Sequence, residues 1–135
     1  MRNPVLAAAL LLASSAAFGA LPENYQQMPS GDDNSGVIVN MGNGATYIYA
    51  GVPSDSTDGM TPGQMARKVK EEISCDSDVL GTDSDARLEG CRQEGEILDL
   101  RFVLKGDRLM IYTWNDKVSA EDRKTIQAHL DSTGH

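Results

Sequence analysis

The 135-residue chain holds 20 acidic against 12 basic residues, a formal net charge of −8, together with two cysteines and a single tryptophan. That acidity excludes recognition driven by phosphate contacts, so neither nucleic acid nor an anionic membrane surface is an expected partner. About 116 residues remain after an N-terminal leader, enough for one domain that buries a core without a structural metal.

The leader occupies residues 1–19. Arg2 supplies a positive start, and Val5 to Ala17 forms an apolar run too short to cross a bilayer. Small residues at Ala17 and Gly19 flank Phe18, which suits cleavage before Ala20. No cysteine follows to carry a lipid, so the mature protein is expected to be periplasmic or secreted, with no stable membrane insertion once the leader is removed.

Residues 20–35 are rich in Pro, Gly, Asp and Asn and lack periodicity, which predicts an extended or mobile arm ahead of a single domain over residues 36–135. Val37 to Met41 and Ala45 to Val52 carry β-branched and aromatic residues around Asn43-Gly44, a hairpin signal. Thr61, Pro62 and Gln64 then supply a cap, a first-turn proline and a capping box for a helix reaching about Ser74, with Met65, Val69 and Ile73 on its inward stripe.

Cys75 and Cys91 form an even pair without a CxxC spacing or a nearby His, so in an oxidising compartment they read as a disulfide. The segment between them reads as a polar loop with one helical turn at Ala86 to Glu89. Ile97 to Leu104 and Leu109 to Trp114 predict a second hairpin around Gly106-Asp107, and Ser119 caps a closing helix with Ile126 and Leu130 inward. The expected fold is α+β in two layers: a four-stranded antiparallel sheet with two helices on one face, in the order ββαββα.

Strand parity then sorts side chains into faces. Leu100, Phe102, Leu104, Leu109, Ile111 and Thr113 share one face, which is assigned to the helices along with Val37, Val39, Met41, Ile48 and Ala50. Tyr47, Tyr49, Arg101, Tyr112 and Trp114 fall on the other, and an open sheet face lined with such rings is a candidate partner-binding surface. Asp76, Asp78, Asp83 and Asp85 in the bridged loop would steer a basic protein towards it.

Other chemistry is thin. Asp76, Asp78, Gly81, Thr82 and Ser84 match part of a Ca²⁺ loop, but Leu80 and Arg87 stand where two oxygen ligands are needed. His129 and His135 lack sequence neighbours for a triad or metal cluster, and Gly42 to Gly44 is a turn, not a phosphate loop. The expectation is therefore a non-enzymatic cell-envelope binding protein without cofactor, an inhibitor or immunity-type protein docking on a basic partner enzyme. Its rivals are a small envelope hydrolase using Glu96 and Asp99 as paired carboxylates, and a homodimeric structural subunit that buries the aromatic face against its twin.

Overall fold

The computed structural model describes residues 21–30 and 32–135, so the leader expected over residues 1–19 lies outside the described residues. In chain order the elements are β1 (Tyr25–Ser30), β2 (Asp32–Asn40), β3 (Thr46–Pro53), α1 (Pro62–Glu72), β4 (Ser74–Cys75), β5 (Leu80–Gly81), β6 (Asp85–Gln93), β7 (Glu96–Lys105), β8 (Arg108–Asn115) and α2 (Ala120–Ser132). One antiparallel sheet of eight strands results, ordered β1-β2-β3-β8-β7-β6-β4, with β5 also paired to β6. The α+β class stands. The four-stranded, two-layer arrangement in the order ββαββα does not.

Two segments make the difference. The arm expected over residues 20–35 supplies β1 and the start of β2, with Tyr25 opposite Asn40 and Pro29 opposite Gly36. Pro29 sits near the end of an edge strand, where a missing N–H costs no ladder bond. Gly36 is needed because the Tyr49 ring lies across it: a Cβ there would come within 2.4 Å of the Tyr49 hydroxyl oxygen.

The second segment is β6. Ala86 and Leu88 alternate with Arg87 and Glu89, a period of two that belongs to a strand and not to the single helical turn expected there. A bulge follows between Leu88 and Cys91, where Gly90 adopts a φ of 64° and donates its N–H to Asp99 Oδ1 at 3.0 Å. One extra residue reverses the parity of what comes next. Cys91 therefore faces the same side as Leu88 and meets Cys75 directly across from it on β4, forming the expected disulfide. Replacing both cysteines with serine is expected to lower the unfolding free energy by about 3 kcal/mol, the chain-entropy value for a loop of this length, as read by urea denaturation under non-reducing conditions.

Both helices begin as expected. Thr61 and Gln64 make a reciprocal capping box at α1, and Ser119 and Asp122 make one at α2. They lie on opposite faces of the sheet. Ile126 and Leu130 of α2 join the core cluster of Ile38, Tyr47, Tyr49, Met110, Tyr112 and Trp114, whereas Ala66, Met65, Val69 and Ile73 of α1 pack on Ala86, Leu88, Leu100 and Phe102. Tyr112 pairs with Arg101 and Ile111 with Phe102, so these two clusters occupy alternate sides of β7 and β8. Among the described residues, no helix is long and apolar enough to cross a membrane.

Candidate functional site

The four rings expected to form an open recognition face are core residues. Tyr47, Tyr49 and Tyr112 are at most 2% exposed and Trp114 is 5% exposed, all on the sheet face that α2 covers. Parity had grouped them correctly but could not say which group a helix would cover. Each phenol finds a partner inside: Tyr47 Oη donates to Gln127 Oε1 at 2.7 Å, Tyr49 Oη accepts from Gln27 Nε2 at 2.8 Å, and Tyr112 Oη donates to the His135 carbonyl. Burial, reinforced by the neighbouring Tyr112, pushes the Tyr47 hydroxyl far above the usual tyrosine range, so it stays protonated and uncharged.

The acidic residues expected to steer a partner are each matched by a cation of the same chain. Asp76 pairs with Arg92 at 3.2 Å, Asp78 with Lys70 at 2.6 Å, Asp83 with Arg67 at 3.7 Å and Asp85 with Arg101 at 2.8 Å. Hydrogen bonds from Lys70 and Arg101 hold Asp78 and Asp85 below the ordinary carboxylate range. A basic partner would have to compete with these internal cations. Among the described residues, no group of three or more His, Cys, Asp or Glu side chains is placed to hold a metal ion. Glu96 and Asp99 point to opposite faces, Glu96 across from Gln93 and Asp99 across from Trp114, so they do not share a site.

What the fold does assemble is a cationic cleft. Beside α2, a cavity of about 350 Å³ is lined by Arg87 of β6, Arg101 of β7, and Arg123 and Lys124 of α2, over a floor made by Tyr47 and Trp114. The two rings are nearly parallel, with centroids 5.4 Å apart and planes 4° apart. Arg123 Cζ stands 5.5 Å from the Trp114 ring centroid, a cation–π distance. The Ser119 cap places the start of α2 at the cleft mouth, where Ala120 completes its edge.

Its electrostatics run against a structural role. Arg87 and Arg101 are directly opposite each other on neighbouring strands and share a face. Like charges so placed destabilise a sheet by several tenths of a kcal/mol. Asp85 offsets them unequally: it makes a bidentate contact with Arg101 at 3.0 and 2.8 Å and is attracted to Arg87 only through space. That contact raises the Arg101 pKa against the opposing effect of burial. Asp99, two residues along β7 on the same face, keeps its charge but is oriented by the Gly90 N–H. Four cations thus line the cleft, and no carboxylate is among its lining residues, in a chain whose net charge is −8.

Of this site, Arg101, Tyr47 and Trp114 are legible in the sequence as binding residues, though of a different surface, whereas Arg87, Arg123 and Lys124 are not. Arg87 becomes visible only when Ala86 to Glu89 is read as a strand, since cross-strand pairing is what brings it opposite Arg101. Arg123 and Lys124 carry no local signal, because α2 reaches the cleft through tertiary packing. Comparison with protein-family models, with curated proteins and with solved structures produced no match to this chain.

Proposed function

We propose that this protein is a non-enzymatic binding protein of an oxidising compartment, periplasmic or secreted, and that it takes an anionic group of its ligand in the cleft of Arg87, Arg101, Arg123 and Lys124. The observation that carries this reading is the cross-strand Arg87–Arg101 pair. A like-charge contact that weakens the sheet is the kind of local conflict found where function overrides stability. An anion seated between the two guanidinium groups would turn that repulsion into attraction and would gain strong charge-assisted hydrogen bonds.

The disulfide and the apolar leader support the compartment. An inhibitor or immunity-type protein is one form such a binder can take. With its contact moved to the cleft, the partner would present acidic groups and not the basic surface expected from overall charge.

Trp114 makes the test direct, because it is the only tryptophan and lies in the cleft floor. Inorganic phosphate, citrate and a hexaglutamate peptide, titrated separately at low ionic strength, serve as probes. At least one is expected to bind saturably at one per chain by calorimetry and to change Trp114 emission as Arg123 turns from the ring to the ligand. The double variant Arg87→Glu, Arg123→Glu alters two exposed side chains and should weaken that binding about tenfold or more. Absence of saturable binding by all three probes, or equal affinity in the variant, would reject the cleft as a binding site.

A further inference from the structure

The sheet face opposite α2 has a core composition over a region where, among the described residues, no layer lies on it. Val37 and Val39 of β2, Ile48 and Ala50 of β3, and Ile111 and Thr113 of β8 adjoin there, since Val37 pairs with Ile48, Ile48 with Thr113 and Ala50 with Ile111. Ile48 is 41% exposed, and Leu104 and Met28, on the same side of β7 and β1, are 42% and 46% exposed. Helix α1 covers only the other half of this side, over β6 and β7. Ile111 packs at the edge of the α1 cluster, so the uncovered patch continues directly from the buried core.

We infer that this face is a dimer interface, on which a second copy of the chain docks sheet against sheet through Val37, Val39, Ile48, Ala50 and Ile111. Charge selects the occupant. The described side chains that β2, β3 and β8 direct to this side include no charged group, and Glu96 stands at the margin with Ile48 and Thr113. The charged residues of β7 and β8 near the patch, Asp99, Arg101, Lys105 and Arg108, all point the other way. A partner of opposite charge gains little where Glu96 at the margin is the one charged group among the described side chains of the patch, whereas a copy with the same net charge of −8 can approach here because most of that charge lies elsewhere.

Area agrees. A patch four strands wide and about five residues long covers roughly 300 Å² in projection at normal strand spacings. With side-chain relief on both copies the buried surface comes to about 1,000 Å², the lower bound for a specific interface. Two-fold sheet packing is self-complementary and leaves both cationic clefts on the outer faces, so the pairing does not depend on the clefts being functional.

Sedimentation velocity on the full chain, expressed with its leader in place, tests the assignment over a low to high micromolar range. The wild type is expected to sediment as a dimer at the upper end. Ile48→Lys, at an exposed position, should raise the dimer dissociation constant at least about tenfold while leaving the far-UV circular dichroism unchanged, and Val39→Lys on the neighbouring strand should do the same. If either variant misfolds, the wild-type result and the other variant decide. A wild type that is monomeric throughout, folded variants that dimerise as the wild type does, or recovery only as a complex with a different protein would each overturn it. Phosphate, citrate or hexaglutamate binding is measured on the same samples, so loss of dimer and loss of cleft binding are read separately.

Discussion

Replacing Tyr112 with alanine is expected to lower the unfolding free energy by about 3–5 kcal/mol, as for other large-to-small changes of buried aromatics. The ring is fully buried between β3 and β7, 5.9 Å from Tyr47 by centroids, with Lys105 Nζ 5.5 Å and Arg101 Cζ 6.0 Å from its own centroid. Its removal leaves a cavity, two cations without their aromatic face, and a His135 carbonyl with Lys105 Nζ as its remaining donor. Typical domains hold only about 5–15 kcal/mol in total, so the variant should be near its unfolding threshold at ambient temperature. Tyr112→Phe keeps the ring and should cost only about 1 kcal/mol, the net value of one hydrogen bond. Urea denaturation of both variants checks the difference. If Tyr112→Ala instead retained wild-type stability, the ring would not be part of the core.

Asp122 is expected to set the acid limit of the fold. Its carboxylate accepts from Tyr25 Oη, from Asn40 Nδ2 at 3.0 Å, from Asn43 Nδ2 at 3.2 Å and from the Ser119 N–H at 3.2 Å. One buried side chain therefore ties the start of β1, the end of β2, the β2–β3 loop and the cap of α2 together. Burial opposes its ionisation, but these four donors outweigh that and hold its pKa at about 2, against 3.8 ordinarily. A depressed pKa stabilises the folded state above the unfolded value and ceases to do so as pH falls through the folded one. The ionised form should thus contribute about 2 kcal/mol near neutrality, lost progressively between about pH 4 and pH 2.

The same cluster acts at the alkaline end. Burial first, and then the hydrogen bond to Asp122 and its negative charge, push Tyr25 up to about 12. Stability is accordingly expected to fall again as pH rises from about 10 towards 12. Asp122→Ala takes their shared acceptor from Tyr25, Asn40 and Asn43 and should cost about 3 kcal/mol at neutral pH. Asp122→Asn should cost less and should remove the component lost between about pH 4 and pH 2. Thermal melts of wild type and Asp122→Asn from pH 2 to pH 7 provide the comparison. Identical acid profiles for the two proteins would exclude Asp122 as the controlling group.

Short-range chemistry was legible where one segment decides its own conformation. Gly106-Asp107 is a two-residue turn, and the register it implies, Leu104 with Leu109 and Arg101 with Tyr112, is the register of β7 and β8. For the first hairpin the Asn43-Gly44 turn implied Val39 opposite Ile48, whereas the longer loop pairs Val39 with Thr46. A shift of two residues preserves parity, so the face assignments survived the wrong register. Thr61 and Ser119 marked helix starts because a side-chain oxygen three residues from an amide is a local arrangement.

Composition misled where tertiary pairing supplied the structure. Residues 25–30 have little strand signal of their own, yet β2 offers them an edge to pair with and Asp122 anchors Tyr25. In the bridged segment, the many Asp residues and Gly90 disguised the alternation of Ala86 and Leu88, and with it the strand that carries Arg87.

From its own residues, then, the chain determines which side chains share a face, where its helices begin, and that Cys75 and Cys91 pair. Alternation is a relative property and is blind to what lies above or below a strand. Only the packed structure decided that α2 closes over the rings while α1 takes the reverse side, because a helix is placed by the path of its connection and by the stripe it must bury. That choice turned the expected recognition surface into core, gathered Arg87, Arg101, Arg123 and Lys124 from three elements into one cleft, and left the valine and isoleucine face of β2, β3 and β8 uncovered by either helix.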